Sequence, residues 1–168
     1  MSKQTGFSSA VIVAGGSGSR MGRPKQMLPL GAKPVLVRTV EAFLQTPEIK
    51  EIVVVTPPEN RAELQKRFPG IVFADPGKTR LLSVKNGFLK TSAASQLVAV
   101  HDGARPLVEP AHISACLQAA RQYGAAVLAV PVKDTVKVCE GGFVQNTLDR
   151  AVLWAAQTPQ CYRRPVLA

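Results

Sequence analysis

The chain has 168 residues, 46% of them hydrophobic, which is enough to bury the core of one domain and argues against disorder. Its apolar runs are strand-sized and its first residues lack the apolar segment of a secretory signal, so the composition argues against a membrane protein and favours a cytoplasmic location. The net charge of +10 comes from scattered cations without interleaved aromatic residues, a pattern less typical of nucleic-acid binding than of anionic small-molecule ligands.

The first half of the chain alternates short apolar runs with amphipathic segments. Residues 10–14 predict a buried strand, because the run is short, β-branched and not alternating. Pro34 suits the first turn of the next helix, and Pro57 with Pro58 ends the second strand. The spacing predicts, in order, a helix over 34–44, a strand over 51–56, a helix over 59–68 and a strand over 71–74.

The second half continues the alternation and then departs from it. Thr79 or a neighbour is expected to cap a helix whose apolar positions are Leu81, Leu82, Val84, Phe88 and Leu89. A strand over 97–100, a helix over 110–123 ended by Gly124, and a strand over 125–130 follow. Two short strand-like segments on either side of Glu140-Gly141-Gly142 then predict a projecting β-hairpin arm at about 132–147. The last residues, from Arg163, are expected to form the first turn of another helix.

This order of elements is typical of an α/β fold. Strands that alternate with helices predict a three-layer, Rossmann-like, mostly parallel sheet with helices on both faces. We see no repeat and no linker, so residues 1–168 are expected to form a single domain. The three cysteines are widely spaced and match no metal-binding pattern, which favours free thiols in a reducing compartment.

The loop after the first strand resembles an anion-binding turn. Glycines at 15, 16 and 18 let backbone N–H groups approach a bulky anion, and Arg20, Arg23 and Lys25 follow them. The loop is not a Walker A motif, and it is a poor dinucleotide fingerprint because Met21 stands where the third glycine belongs. A tight strand-to-helix connection explains the glycines alone, but it does not explain the flanking cations.

A second polar cluster follows the strand at 97–100. His101-Asp102-Gly103-Ala104-Arg105-Pro106 should lie at the same carboxyl edge of the sheet as the first loop. A carboxylate next to bound phosphates suits Mg²⁺, which prefers oxygen ligands. Asp102 could instead cap a helix or pair with Arg105, and His101 is more typical of a hydrogen-bonded structural residue than of a base.

As a set these motifs are familiar. The first loop, with Pro24-Lys25-Gln26, resembles that of nucleotidyltransferases with a GT-A-like fold. The motif at 101–106 narrows the resemblance to the 2-C-methyl-D-erythritol 4-phosphate cytidylyltransferases of the non-mevalonate isoprenoid pathway, in combination with Asp134-Thr135, Asp149-Arg150, Leu153-Trp154 and Gln157-Thr158-Pro159-Gln160. The resemblance runs from about Ser9 to the last residue, and it is the ordered combination of motifs that makes it specific.

The resemblance implies a reaction and a set of site residues. CTP and methylerythritol 4-phosphate give CDP-methylerythritol and pyrophosphate with Mg²⁺; Arg20 and Lys25 stabilise the charge that develops, and Asp102 binds the metal. The implied cytidine nucleotide site comprises Ala14, Gly15, Gly16, Gly77, Ser83, Gly103 and Arg105. Thr158 is expected near the sugar phosphate, and Thr135 and Arg150 are expected to contact it in the neighbouring subunit of a homodimer formed through the arm.

Two departures from the family pattern and several alternatives remain open at this stage. Lys78 stands where many relatives have an acidic residue, and relatives continue past this C-terminus, so a C-terminal part of the domain is expected to be missing. The alternatives are a pentitol (ribitol) 5-phosphate cytidylyltransferase, which shares most motifs, and a nucleotide-binding fragment without turnover. A sugar-nucleotide or molybdopterin nucleotidyltransferase would not be expected to share the later motifs. A nucleic-acid-binding protein is suggested by charge alone.

Overall fold

The computed structural model describes residues 7–16, 18 and 24–168, and in them a central sheet is covered by helices on both faces. The strands are β1 (Ser8–Val13), β2 (Pro29–Leu30), β3 (Lys33–Pro34), β4 (Ile49–Val55), β5 (Val72–Ala74), β6 (Leu97–Asp102), β7 (Ala125–Pro131), β8 (Lys137–Glu140), β9 (Phe143–Thr147) and β10 (Trp154–Arg163). Six of them form the central sheet in the order β5-β4-β1-β6-β10-β7. The helices are α1 (Val35–Leu44), α2 (Arg61–Arg67), α3 (Arg80–Phe88), α4 (Pro110–Tyr123) and α5 (Arg164–Leu167).

The centre of the sheet is parallel, as the sequence predicted. β1 lies between β4 and β6 and pairs in parallel with both, so that Val11 is opposite Val53 on one side and Val100 on the other. β5 adds to β4, also in parallel. β10 runs antiparallel to both β6 and β7, which makes the sheet mixed at one side. The mostly parallel α/β fold predicted from the sequence is confirmed.

Both faces of the central strands are buried, which explains why their sequences do not alternate. Ile12 and Val54 contribute to one core, with apolar residues of α1, α2 and α4. Val11 and Val53 contribute to the other, with residues of α3 and partly buried Leu167 of α5. Within the described residues, none of the helices combines the length and the apolarity that crossing a bilayer requires. The three cysteines are free thiols, two of them buried.

Only part of the apolar pattern of helix α3 lies in the core. Of its five apolar positions, Val84 and Phe88 pack in the core, whereas Leu81, Leu82 and Leu89 have exposed fractions of 76%, 42% and 68%. The helix instead packs against the sheet through a face that includes Val84 and Gly87. A small residue in that face lets the helix backbone approach the strands, so the flanking leucines lie outside the contact. Apolar periodicity alone cannot distinguish these two faces.

Strand β10 was not predicted. Its middle, Gln157-Thr158-Pro159, is polar and contains a proline, features that are uncommon inside a central strand. In the structure the pairing with β7 shifts register between Ala156 and Gln160, and this irregularity accommodates the proline. The strand then resumes and pairs with β6 as well, where Gln160 is opposite Val100. A ten-residue strand therefore separates β6 from β7.

The predicted hairpin arm is present. β8 and β9 form a separate two-stranded antiparallel sheet, and the turn between them has Gly141 at φ 57° and Gly142 at φ 85°. Two successive positive φ angles are typical of the tight turns that suit the twist of a hairpin. The arm rejoins the domain through a bond from the backbone N–H of Val132 to the carbonyl of Leu153, 3.0 Å long. All residues of 137–150 are exposed, so the arm projects from this subunit.

Candidate active site

A cavity of about 870 Å³ lies at the carboxyl ends of β1 and β6, where open α/β sheets bind ligands. Its lining comes from three segments that are distant in sequence: the loop after β1, the loop before α3 and the end of β6. Most of the residues predicted from the resemblance lie in it, namely Ala14, Gly15, Gly16, Lys25, Gly77, Ser83, Asp102 and Arg105. Arg20 and Arg23 lie outside the described residues.

The backbone of the loop after β1 is fixed by Gln26, a residue for which the sequence predicted no role. Gln26 is 4% exposed, and its side-chain amide donates hydrogen bonds of 2.8 Å to the carbonyls of both Ala14 and Gly16. Buried polar groups are almost always hydrogen-bonded, and here the bonds fix the glycine-rich backbone. Lys25 precedes Gln26 in a short 3₁₀ turn, is itself exposed and lines the cavity. Gln26 therefore positions both the loop and the adjacent cation.

The loop before α3 meets the first loop directly. A Cβ at Gly15 would lie 2.2 Å from the Cβ of Pro76, so only glycine permits this approach. Thr79 caps α3, as predicted, by accepting a 3.2 Å bond from the backbone N–H of Leu82. The hydroxyl of Ser83 accepts a 3.0 Å bond from the N–H of Gly77. This hydrogen bond stabilises the loop, so Ser83 has a structural role in addition to the nucleotide contact expected of it.

The turn after β6 is tied to two neighbouring elements. The N–H of Gly103 donates to the carbonyl of Val13 at 2.8 Å, and its carbonyl accepts a 3.0 Å bond from the buried hydroxyl of Thr39 in α1. Gly103 itself does not line the cavity; its role in the turn is to hold Asp102 and Arg105 on the cavity wall. The backbone N–H of Arg105 donates to the carbonyl of Asp102 at 3.0 Å, which closes the turn.

Two guanidinium groups face the carboxylate of Asp102. Arg80, at the start of α3, places Nε and Nη2 each 3.0 Å from Oδ1. Arg105 places Nε 3.2 Å from Oδ2 and donates through Nη1 to the side-chain carbonyl of Gln157 in β10. The pairing of Asp102 with Arg105, left open by the sequence, is present; Arg80 and Gln157 were not foreseen. Gln157 belongs to the motif at 157–160, but the motif does not specify its partner. The contacts of Arg80 with Asp102 and of Gln157 with Arg105 arise only when three elements meet.

The donor set suits one divalent cation shared with a phosphate ligand. Asp102 supplies carboxylate oxygens at the cavity, and its side chain is 32% exposed there. Across the described ranges, no group of three or more His, Cys, Asp or Glu side chains could hold a metal by itself. A site with one protein carboxylate is typical of Mg²⁺ bound together with substrate phosphates. The residues present therefore fit such an ion only with an anionic ligand.

His101 is a structural residue, in line with the sequence interpretation. It is fully buried, its ring centroid lies 5.0 Å from that of Phe43, and its Nε2 is 3.1 Å from the carbonyl of Arg105. Burial lowers the pKa of His101 from 6.5 to about 4, although the bond to Arg105 opposes the shift. The imidazole is therefore neutral at pH 7 and donates through Nε2 to hold the turn that carries Asp102.

This buried imidazole predicts a loss of stability in mild acid. The folded pKa is lower than the unfolded value, so the stabilisation is present above about pH 6.5 and is lost as the pH falls towards 4. Between pH 7 and pH 5 we expect the free energy of unfolding to fall by about 2 kcal/mol. Urea unfolding at pH 7, 6 and 5 measures it. His101→Gln, which keeps a donor, should remove this pH dependence, whereas exposed His112→Gln should retain it. An unchanged slope in His101→Gln would contradict the assignment.

The residues expected at the second substrate do not all reach this region. Thr158 is buried, accepts a 3.3 Å bond from the backbone N–H of Asp102, and lines a second cavity of about 520 Å³. This cavity shares Arg105 with the first and is otherwise lined mostly by apolar side chains. Thr135 and Arg150 line neither of these two cavities, and Arg150 donates to the carbonyl of Lys133 on the arm.

The comparisons with known proteins agree with this architecture. Residues 8–168 match the family model described as IspD, 2-C-methyl-D-erythritol 4-phosphate cytidylyltransferase. An enzyme of that name from Geobacillus thermodenitrificans is 43% identical over 162 residues, which cover 92% of this chain and 71% of the relative. A relative from Oryza sativa subsp. japonica, named as the chloroplastic enzyme, is 44% identical over 95% of this chain and 56% of its own length.

A solved structure extends the agreement to the fold. The 4-diphosphocytidyl-2C-methyl-D-erythritol synthase of Anaerococcus prevotii superposes with a TM-score of 0.86 at 29% identity, over 96% of this chain and 72% of that one. The family expected from the motifs is confirmed, and it is favoured over the pentitol-phosphate alternative. The chain belongs to the 2-C-methyl-D-erythritol 4-phosphate cytidylyltransferase family, whose members are nucleotidyltransferases of isoprenoid biosynthesis.

Proposed function

We propose that this chain transfers a cytidylyl group from CTP to methylerythritol 4-phosphate, with release of pyrophosphate, in the cavity at the carboxyl ends of β1 and β6. The observation that supports this location is that one cavity is lined by the glycine-rich loop, Lys25, Arg80 and Arg105 together with Asp102, whose carboxylate both arginines contact. Backbone N–H groups and cations on one wall suit a triphosphate. The residues expected to bind the cytidine nucleotide are proposed to act at this same site: Ala14, Gly15, Gly16, Gly77, Ser83, Gly103 and Arg105.

The reaction requires the protein mainly to align the two substrates and to neutralise the charge of their phosphates. A phosphate oxygen of the sugar phosphate attacks the α-phosphorus of CTP in line, the bond to the β-phosphate breaks, and pyrophosphate leaves with the electron pair. Positioning and electrostatic stabilisation account for most of the catalysis in such transfers. Lys25 is proposed to stabilise the charge on the α-phosphate and on the leaving group, together with Arg20.

The metal proposed for this site is Mg²⁺, with Asp102 as its ligand from the described part of the chain. Bound to the triphosphate, Mg²⁺ would supply further neutralisation of the phosphate charge. The turn that carries Asp102 is fixed by Gly103 and His101, so the carboxylate is held at the cavity. This chain's own contribution is therefore a positioned oxygen ligand.

The second substrate is proposed to bind between two subunits. The cavity beside Thr158 is mostly apolar and supplies Arg105 as its charged group, which leaves the sugar phosphate under-neutralised. Thr135 and Arg150 carry the missing polar groups, but Thr135 lies on the projecting arm and Arg150 lies beside it. A homodimer in which each arm reaches the partner's site would bring these groups to it and would cover exposed Phe143 and Trp154.

Assays with two acceptor substrates test the function directly. With CTP and Mg²⁺, we expect pyrophosphate release to be at least tenfold more efficient, in kcat/KM, with methylerythritol 4-phosphate than with ribitol 5-phosphate, because the two differ in the groups that the pocket must hydrogen-bond. No turnover with the first substrate at saturating Mg²⁺ would contradict the proposal. CTP binding without turnover would instead identify the nucleotide-binding fragment considered from the sequence, and salt-sensitive binding to DNA would indicate the nucleic-acid alternative.

Domain extent and location remain proposals. We propose that residues 1–168 act as one nucleotidyltransferase domain with its arm at about 132–147. The chain spans 71% of the Geobacillus relative and 56% of the rice relative. Cytoplasm is the location proposed from the sequence, whereas the rice relative is named as chloroplastic. Fractionation of cells that express a tagged chain would distinguish the two compartments.

A further inference from the structure

Both oxygens of the Asp102 carboxylate are occupied by arginine. Oδ1 receives two donors of Arg80 at 3.0 Å, and Oδ2 receives Nε of Arg105 at 3.2 Å. A divalent cation on Asp102 needs at least one of these oxygens. An arginine stays protonated at any working pH, so it cannot release the oxygen by losing its charge. These three donors fill three of the roughly four lone-pair positions of the carboxylate, and the two adjacent positive charges repel a further cation. A metal ion on Asp102 therefore competes with the arginine contacts.

Arg80 is the arginine that can leave. Arg105 is also bonded to Gln157 and is carried by a turn fixed at its backbone. Among contacts within the described ranges, the guanidinium of Arg80 is bonded to Asp102 alone. Its side chain is 48% exposed, and it extends from the capped first turn of α3, whose backbone Ser83 and Thr79 hold in place. The side chain can swing while its attachment stays fixed.

A triphosphate in the cavity offers Arg80 a different acceptor. Guanidinium groups form strong bidentate bonds to phosphate oxygens, and Arg80 lines the cavity proposed for CTP. We propose that Arg80 is a positioning residue that occupies Asp102 while the site is empty and moves to the phosphates of the incoming nucleotide, so that Asp102 becomes available to metal only with nucleotide. This inference rests on the proposed function, since it takes Asp102 as the metal ligand.

The test measures metal and nucleotide separately. Mn²⁺ binding to the nucleotide-free protein, followed by electron paramagnetic resonance or calorimetry, should be about three- to tenfold tighter in Arg80→Gln than in the natural sequence, because a competing cation has been removed. CTP binding in EDTA should be weaker in the same variant by a similar factor, because a phosphate contact has been lost. Arg80→Lys, which keeps the charge but not the forked geometry, should fall between.

Control variants test whether the change in Mn²⁺ affinity depends specifically on Arg80 and Asp102. Arg67→Gln removes an arginine of similar exposure that pairs with Glu63 in α2, and it should change neither affinity. Adding Asp102→Asn to Arg80→Gln should abolish the gain in Mn²⁺ affinity. Equal Mn²⁺ affinity with and without Arg80, in variants whose thermal unfolding is unchanged, would overturn the proposal, as would a gain that persists without Asp102. Turnover of the natural sequence tests the proposed function separately, since Mn²⁺ binding without nucleotide needs no catalysis.

Discussion

Replacing Lys25 by alanine is expected to lower kcat by about two to three orders of magnitude, with a change of less than about tenfold in the KM for CTP. Lys25 is exposed at the cavity wall in a turn that the buried bonds of Gln26 hold in place. A preorganised cation contributes most where charge develops, on the α-phosphate and the departing pyrophosphate, and less to the charge already present on bound CTP. Pyrophosphate release at saturating substrates measures the effect.

A second lysine provides the control for this experiment. Lys33 forms a partly exposed ion pair with Glu41, 2.6 Å apart, and does not line the cavity. Lys33→Ala should leave kcat and KM within about twofold and alter stability by no more than about 1 kcal/mol. If Lys25→Ala instead abolished CTP binding while turnover at saturation stayed normal, the role of Lys25 would be ground-state binding and the mechanism would need revision.

Arg150→Ala is expected to lower kcat/KM by about 100-fold through loss of a charged contact to the sugar phosphate. The arm holds Arg150 away from both cavities of its own subunit, so its effect should be exerted on the partner's site. Co-expression of Lys25→Ala and Arg150→Ala subunits tests this: each mixed dimer would have one site with both residues intact. We expect about a quarter of natural activity from an equal mixture, far above either variant alone.

The control for the arm is a cation that the mechanism does not use. Lys137 lies on the same hairpin, where its Nζ is 2.7 Å from the hydroxyl oxygen of Thr147. Lys137→Ala should reduce activity by no more than about twofold, and it should not complement Lys25→Ala beyond its own activity. A mixture of Lys25→Ala and Arg150→Ala that shows only the mean of the two inactive variants would place Arg150 outside the partner's site and would contradict the shared-site dimer.

Local sequence was enough to predict the centre of the molecule. β1, β4 and β6 are short β-branched runs buried on both faces, and such runs have few alternatives to a parallel sheet covered by helices. Because parallel strands place their carboxyl ends at one edge, the glycine loop after β1 and Asp102 after β6 were expected to meet, and they do. The hairpin turn was also predictable, because two successive glycines readily adopt the positive φ angles that the turn requires.

Other features depend on contacts between distant segments of the chain, which the local sequence does not specify. The middle of β10 is polar and contains a proline, and β10 is one strand only because the residues before and after this middle pair with β7 and, from Gln160, with β6. The exposed leucines of α3 show the same limit, since the small inward-facing residues decide which side meets the sheet. In both cases packing between distant segments outweighs the local pattern.

The sequence by itself determined the fold class, the family and the carboxyl-edge position of the anion-binding loop, because these follow from buried runs, turn residues and ordered motifs. Only the tertiary structure decided how the charges are arranged. Arg80 meets Asp102 across 22 positions of the chain, Gln26 fixes the loop after β1 from within, and Gln157 joins Arg105 from a strand that was not foreseen. The physical reason is that hydrogen bonds and ion pairs depend on distances of about 3 Å between side chains, and no local pattern sets those distances.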